Sequence, residues 1–191
     1  MGETPARQRL SVDDWAATAL TAIAEGGLAA VAVERLATQL GTTKGSFYWH
    51  FRNRDALVRA ALDRWEQQQT DVIIAAMEQF PDPADRLHRL LSLITEHTHP
   101  RTENRIEVAL LASASDPAVA AALTRVTERR ISYVSELFRQ LGSDPDRARR
   151  QALLAYTAWL GHTQLRHAVP QVLPAPGDHR QYLEHLLTSL R

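Results

Sequence analysis

Apolar residues recur three and four positions apart along nearly the whole chain, which is the spacing that one buried face of an α-helix requires. No segment alternates apolar and polar residues over the length of a β-strand. Ser11 can cap the first helix, which ends at the glycines that follow Glu25. The predicted buried stripe of that helix is Val12, Trp15, Ala16, Ala19 and Ile23. The chain is therefore predicted to be all-α, with about nine helices.

One long helix, predicted over residues 54–79, suggests how the chain is divided. Its polar middle, residues 66–71, separates two apolar halves, as expected of a helix that bridges two domains. We therefore predict a small domain of three helices over residues 1–54. A larger helical domain is predicted over residues 55–191, and the helix 54–79 connects the two.

Composition excludes several classes of protein. Twenty-two basic and 22 acidic residues give a formal net charge of zero, which argues against a uniformly basic nucleic-acid binder. The absence of cysteine excludes disulfides and thiolate metal sites. No apolar stretch approaches the roughly 18 residues of a membrane span, and no secretory signal is recognisable at the N-terminus. We expect a cytoplasmic protein without a membrane association or a bound cofactor.

Two short helices joined by a glycine-containing turn follow the first helix. The second helix ends at Gly41, which can adopt the left-handed turn conformation, and the third runs from about Thr43 to Phe51. Small Ala37 allows the two helices to approach closely. This arrangement is that of a helix-turn-helix.

The third helix has two contrasting faces. Phe47 and Phe51 are four residues apart and should anchor it to the core, which leaves Tyr48 and Trp49 pointing away. Residues 42–54 also carry three basic side chains and no acid. Aromatic rings beside positive charge suit contact with phosphates, sugars and base edges. The alternative is that Tyr48 and Trp49 lie beneath the second domain.

The run from Leu40 to Leu57 resembles the recognition-helix signature of the TetR family of transcriptional regulators, and the resemblance is sharp over residues 11–65. It implies that Arg54, which begins the fourth helix, holds a DNA phosphate. Ala32 departs from the family pattern, which usually has a serine or threonine there to cap the second helix and touch phosphate. The resemblance implies the following residues in or beside the major groove: Thr43, Lys44, Gly45, Ser46, Tyr48, Trp49 and His50.

For the rest of the chain, the resemblance implies a ligand-binding body and a homodimer formed by the last two long helices, near residues 145–167 and 178–190. Such a dimer would bind a palindromic operator in double-stranded DNA, and a small-molecule effector would release it. Broad apolar faces on these two helices agree with a dimer, although burial within one subunit would explain them equally.

An effector pocket should be mostly apolar with a few polar groups. Polar or aromatic side chains on apolar helix faces are the candidates: His97, Glu107, Tyr156, Trp159 and Gln164. They predict a small apolar or amphipathic effector.

The sequence offers two alternative functions. Glu96 and His99 have the Glu-x-x-His spacing of di-iron helical bundles, but no second copy exists, so an enzyme is not predicted. The second alternative keeps the fold and uses the body only to dimerise or to recruit a partner, with no effector.

Overall fold

The computed structural model describes residues 10–95 and 102–190, and within them the regular elements are helices, with no strand. This confirms the all-α prediction. The α-helices are α1 (Val12–Gly26), α2 (Val33–Gln39), α3 (Lys44–His50), α4 (Arg54–Glu66), α5 (Val72–Met77), α6 (Pro83–Thr95), α7 (Thr102–Ala112), α8 (Pro117–Gln140), α9 (Pro145–Ala168) and α10 (His179–Ser189).

Polar side chains at the helix starts fix where the chain turns. Ser11 and Asp14 form a reciprocal capping box at the start of α1. Asp116 and Asp144 cap α8 and α9, each followed by a proline in the first turn. Within α1 one prediction was wrong: Val12 is 48% exposed, because it occupies the first helical position and lies beyond the packed part of the helix.

The bridging helix is continuous but irregular. It was predicted as one regular helix over residues 54–79, whereas α4 and α5 are joined by a π-helical turn at Gln67–Asp71. The amide of Val72 accordingly donates to the carbonyl of Gln67, five residues earlier. The widened turn is pinned from α8, since Arg130 donates hydrogen bonds to the carbonyl of Gln69 and the hydroxyl of Thr70.

Buried apolar side chains form two clusters. The first joins α1 to α4 and then continues to α7 and the first half of α8, through Ile106, Leu110 and Val126. The second lies between α6, the end of α8, α9 and α10, around Leu91, Phe138 and Ala152. The division of the chain at residue 54 stays a prediction, and the first cluster extends across it.

In the described ranges, no helix combines the length and the apolar character needed to cross a membrane.

Candidate functional site

The turn between α2 and α3 is built around a left-handed glycine. Gly41 has φ +61°, a conformation that a side chain would strain. The amide of Thr42 donates to the carbonyl of Ala37 at 2.8 Å, which closes the end of α2. Thr43 then caps α3, its hydroxyl accepting from the amide of Ser46. The turn thus fixes the direction in which α3 leaves α2.

One face of α3 is anchored in the core. Phe47 is fully buried, its ring 5.4 Å from that of Trp15 in an edge-to-face contact. Phe51 stacks on Phe47 at 5.5 Å and is also buried. The opposite face carries Tyr48, 57% exposed, and Trp49, 87% exposed. Large aromatic side chains are rarely left so open unless a partner covers them.

The groove-facing candidates are thereby brought together on α3 and its cap. Exposed residues among them are Thr43, Lys44, Gly45, Tyr48 and Trp49, while Ser46 and His50 are half-buried.

Lys44, at the first position of α3, forms an ion pair. Its ammonium lies 2.5 Å from the carboxylate of Glu34 in α2. This hydrogen bond raises the pKa of Lys44 and lowers that of Glu34. The run of residues 42–54 lacks acids in the sequence, but the fold supplies one from the preceding helix.

Arg54 has partners that the sequence did not predict. Its guanidinium donates to the backbone carbonyls of Val31 and Leu28, in the short 3₁₀ turn that precedes α2. These bonds hold the entry to the helix-turn-helix against the start of α4. Ala32, which begins α2, makes no side-chain capping bond, as its methyl group dictates.

A cavity of about 350 Å³ lies within the helical body. Its volume is near the lower end of the range of roughly 300–1,000 Å³ typical of small-molecule sites. Three of the predicted pocket residues line it, namely Glu107, Tyr156 and Trp159. Gln164 is exposed and is not among its lining residues, and His97 lies outside the described residues.

A buried ion pair forms the polar end of the cavity. Arg130 on α8 donates to both carboxylate oxygens of Glu107 on α7, each at 3.2 Å, and Glu107 is only 3% exposed. Burial raises the pKa of Glu107 above its ordinary value, and Arg130 offsets part of that rise. The guanidinium also lies over the ring of Trp159, 4.8 Å from its centroid.

Arg130 is the functional candidate that the sequence analysis missed. It interrupts an apolar stripe of α8, lying four residues after Val126 and four before Val134. The same pattern, a charged residue among apolar neighbours, had singled out Glu107. The sequence pattern that predicted Glu107 was therefore also present around Arg130 on α8.

Tyr133 and Tyr156 also line the cavity. The hydroxyl of Tyr156 shares a hydrogen bond with that of Thr127 at 3.0 Å. The hydroxyl of Tyr133 is buried beside Glu78 and Arg86, and none of its contacts within the described residues has the geometry of a hydrogen bond. Burial, together with the neighbouring Glu78 carboxylate, raises the pKa of Tyr133 to about 12.

The outer surface of α9 exposes three leucines. Leu153, Leu154 and Leu165 are 49%, 58% and 39% exposed. They lie outside the second cluster, although α9 also contributes Ala148, Ala152 and Ala155 to it.

An all-helical body with a cavity, preceded by a helix-turn-helix that exposes aromatic residues, defines the class of helix-turn-helix proteins with a second, helical domain. The family model of bacterial regulatory proteins, tetR family, matches residues 16–61. Over these residues the chain is similar to the tetR family.

Solved structures extend the likeness to the whole fold. A transcriptional regulator from Rhodococcus sp. Rha1 is 24% identical with a TM-score of 0.72, covering 95% of this chain and 94% of that one. A transcriptional regulator from Saccharomonospora viridis, in complex with choline, is 20% identical with a TM-score of 0.74, covering 93% and 95%. Reduced NemR from E. coli is 18% identical with a TM-score of 0.77, covering 92% and 95%. No curated protein sequence matches this chain.

Proposed function

We propose that this protein is a ligand-responsive repressor that binds a palindromic operator as a homodimer and leaves it when a small molecule occupies the cavity. The main support for the proposal is the contrast between the two faces of α3: Phe47 is buried, whereas Trp49 is 87% exposed. A helix that is anchored to the core on one face and exposes aromatic side chains on the other suits insertion into a major groove. The role proposed is binding and regulation, not catalysis.

In this proposal the DNA-binding residues are those predicted on α3, with one change of emphasis. Tyr48 and Trp49 contact sugars and base edges, and Lys44 reaches a phosphate after leaving Glu34. Arg54 contributes first by holding the turn before α2, since two backbone carbonyls already occupy its guanidinium. A phosphate contact of Arg54 is proposed only in addition to that role.

The homodimer of the proposal uses the exposed face of α9 together with α10. Three leucines open to solvent on one helix favour a protein contact over a free surface. A two-fold dimer would place the two α3 helices about one DNA turn apart, roughly 34–36 Å or somewhat more, which requires inverted half-sites.

The effector of the proposal occupies the cavity lined by Glu107, Tyr156 and Trp159. One neighbour of the same fold is described in complex with choline, which supports a small-molecule role for such bodies. The alternative, a body that only dimerises, leaves a cavity with a buried ion pair unexplained.

Selection of duplexes from a random DNA library tests the proposal. We expect enrichment of one inverted repeat by the wild-type protein, and its loss in Trp49→Ala with the thermal melting temperature unchanged. Val72→Ala, an exposed apolar position on α5, is the matched control and should select the same repeat. Absence of any enriched sequence with the folded wild-type protein would refute the proposal.

A further inference from the structure

We infer that the cavity selects uncharged amphipathic small molecules, because its two charged lining residues neutralise each other and leave no charge for a ligand to pair with. The inference rests on the proposed ligand-binding role of the cavity and specifies which chemical class occupies it.

The wall of the cavity is mainly apolar. Aliphatic side chains come from α5, α6, α8 and α9, and burying an apolar ligand against them releases water from both surfaces. The aliphatic lining residues are Ile73, Ile74, Leu87, Leu90, Leu91, Leu93, Val134 and Ala155.

The charge of the cavity lining is balanced. Glu107 and Arg130 are the only lining side chains that are charged at neutral pH, within the part of the chain that the structure describes. Their ion pair is buried, with side chains 3% and 14% exposed. A charged ligand would add a third charge to this neutral pair, and a buried charge without a partner is strongly unfavourable.

Arg130 is also fixed in place. Besides Glu107, its guanidinium donates to the hydroxyl of Thr70 and to the carbonyl of Gln69. A carboxylate ligand would therefore have to displace established partners to reach it. An ammonium ligand would find the Glu107 carboxylate already paired with Arg130. The positive charge of Arg130 beside that carboxylate would repel the ammonium.

A polar group of the ligand has neutral partners available. The lining includes the phenol of Tyr156 and the amide of Gln69. Tyr156 shares one hydrogen bond with Thr127, and a phenolic hydroxyl can both donate and accept, so it can form a second one with a ligand hydroxyl or carbonyl. An apolar body with one such group matches both parts of the cavity.

The test compares three ligands of equal chain length: octanol, octanoate and octylammonium. Binding to the full chain is measured by calorimetry near neutral pH without DNA, so the result does not depend on an operator. We expect octanol to bind about tenfold or more tightly than either ion, a ratio that corresponds to about 1.4 kcal/mol. Tighter binding of either ion, equal binding of all three, or no binding of octanol would overturn the inference.

Glu107→Gln provides a second arm. It leaves Arg130 charged, because an arginine does not lose its proton in a protein, so preference should move to octanoate by about tenfold. The double variant Glu107→Gln/Arg130→Met removes both charges and should again prefer octanol. Replacing a buried ion pair by uncharged side chains is often tolerated by the fold. A double variant that prefers octanoate would contradict the role of charge balance.

Tyr156→Phe completes the set. It should weaken octanol binding severalfold and leave the order of the three ligands unchanged; an unaltered octanol affinity would overturn the assignment of the polar contact. These outcomes are distinct from failure of the proposed function, which would appear as absence of operator selection whatever the cavity binds.

Discussion

The ammonium of Lys44 lies 2.5 Å from the carboxylate of Glu34, so the sole lysine of the protein is held against the preceding helix of the helix-turn-helix. Both side chains are largely exposed. A phosphate that approaches α3 must compete with this carboxylate for the same ammonium. We therefore expect Glu34 to compete with DNA for Lys44.

Glu34→Gln should tighten DNA binding, because Lys44 becomes free to neutralise a phosphate and an acid leaves the interface. The logarithm of the binding constant should also fall more steeply with salt, by up to about 0.9 for the additional phosphate. Fluorescence anisotropy over a salt series measures both quantities. Glu25→Gln, which removes an acid facing Arg35 instead, is the control. Weaker binding in Glu34→Gln would mean that Glu34 positions Lys44 for DNA.

Substitutions of Trp49 and Phe47 should have different effects, the first on DNA binding and the second on stability. Trp49→Ala removes a side chain that is almost entirely exposed, so the free energy of unfolding should hardly change while operator affinity falls. Phe47→Ala empties a fully buried site and should lower the free energy of unfolding by about 3–5 kcal/mol. Denaturant titrations measure the free energy of unfolding of both variants, and gel shifts measure their operator affinity. Equal losses of stability would contradict the assignment of the two faces.

Arg54→Met should destabilise the protein, whether or not DNA is present. It removes the donors to the carbonyls of Val31 and Leu28, at a cost of about 1–3 kcal/mol if these are left unsatisfied. Chemical denaturation measures the loss. Arg52→Met removes the same charge from a nearby exposed position and should leave stability unchanged. If Arg54→Met weakened only DNA binding, the phosphate contact would be its main role.

Ala32→Ser should stabilise the protein. The backbone of Ala32 is already extended (φ −109°, ψ 123°), as a capping residue requires, and only the side-chain oxygen is missing. A serine there should raise the free energy of unfolding by about 1 kcal/mol. Ala29→Ser, in the neighbouring 3₁₀ turn, is the control and should give no such gain. No difference between the two variants would contradict the capping explanation.

Leu154→Glu should weaken the proposed homodimer. It places a charge on the exposed face of α9, where an apolar contact between two copies is proposed, and should shift the mass seen by light scattering toward the monomer. Val72→Glu, at a similarly exposed position on α5, should leave the mass unchanged. A wild-type protein that is monomeric at all concentrations would refute the dimer.

Local features were well predicted from the sequence. The cap at Ser11 and the turn at Gly41 were predicted because each depends on residues within a few positions of each other. Helical spacing places Phe47 and Phe51 on one face and Trp49 on another, and the structure confirms that the first face is buried and that Trp49 is exposed.

Features that depend on distant residues were missed. Arg130 and Glu107 are 23 positions apart, and their pairing depends on how α7 and α8 pack. The same holds for Arg54, whose partners in the preceding turn cannot be inferred from its position at a helix start. The π-helical turn at Gln67–Asp71 is another case, because its polar residues fit a regular surface helix equally well.

The first apolar cluster passes from the helix-turn-helix through Trp65 to Ile106 and Leu110 on α7, the helix that also carries Glu107. Ending the chain after α4 would remove the α7 and α8 side chains from this cluster and would expose Trp65. We therefore expect heat to melt the two halves in a single cooperative transition, and an excised N-terminal fragment to remain largely unfolded. Because α1 and α7 pack against each other, a displacement of α7 would move side chains that also contact α1.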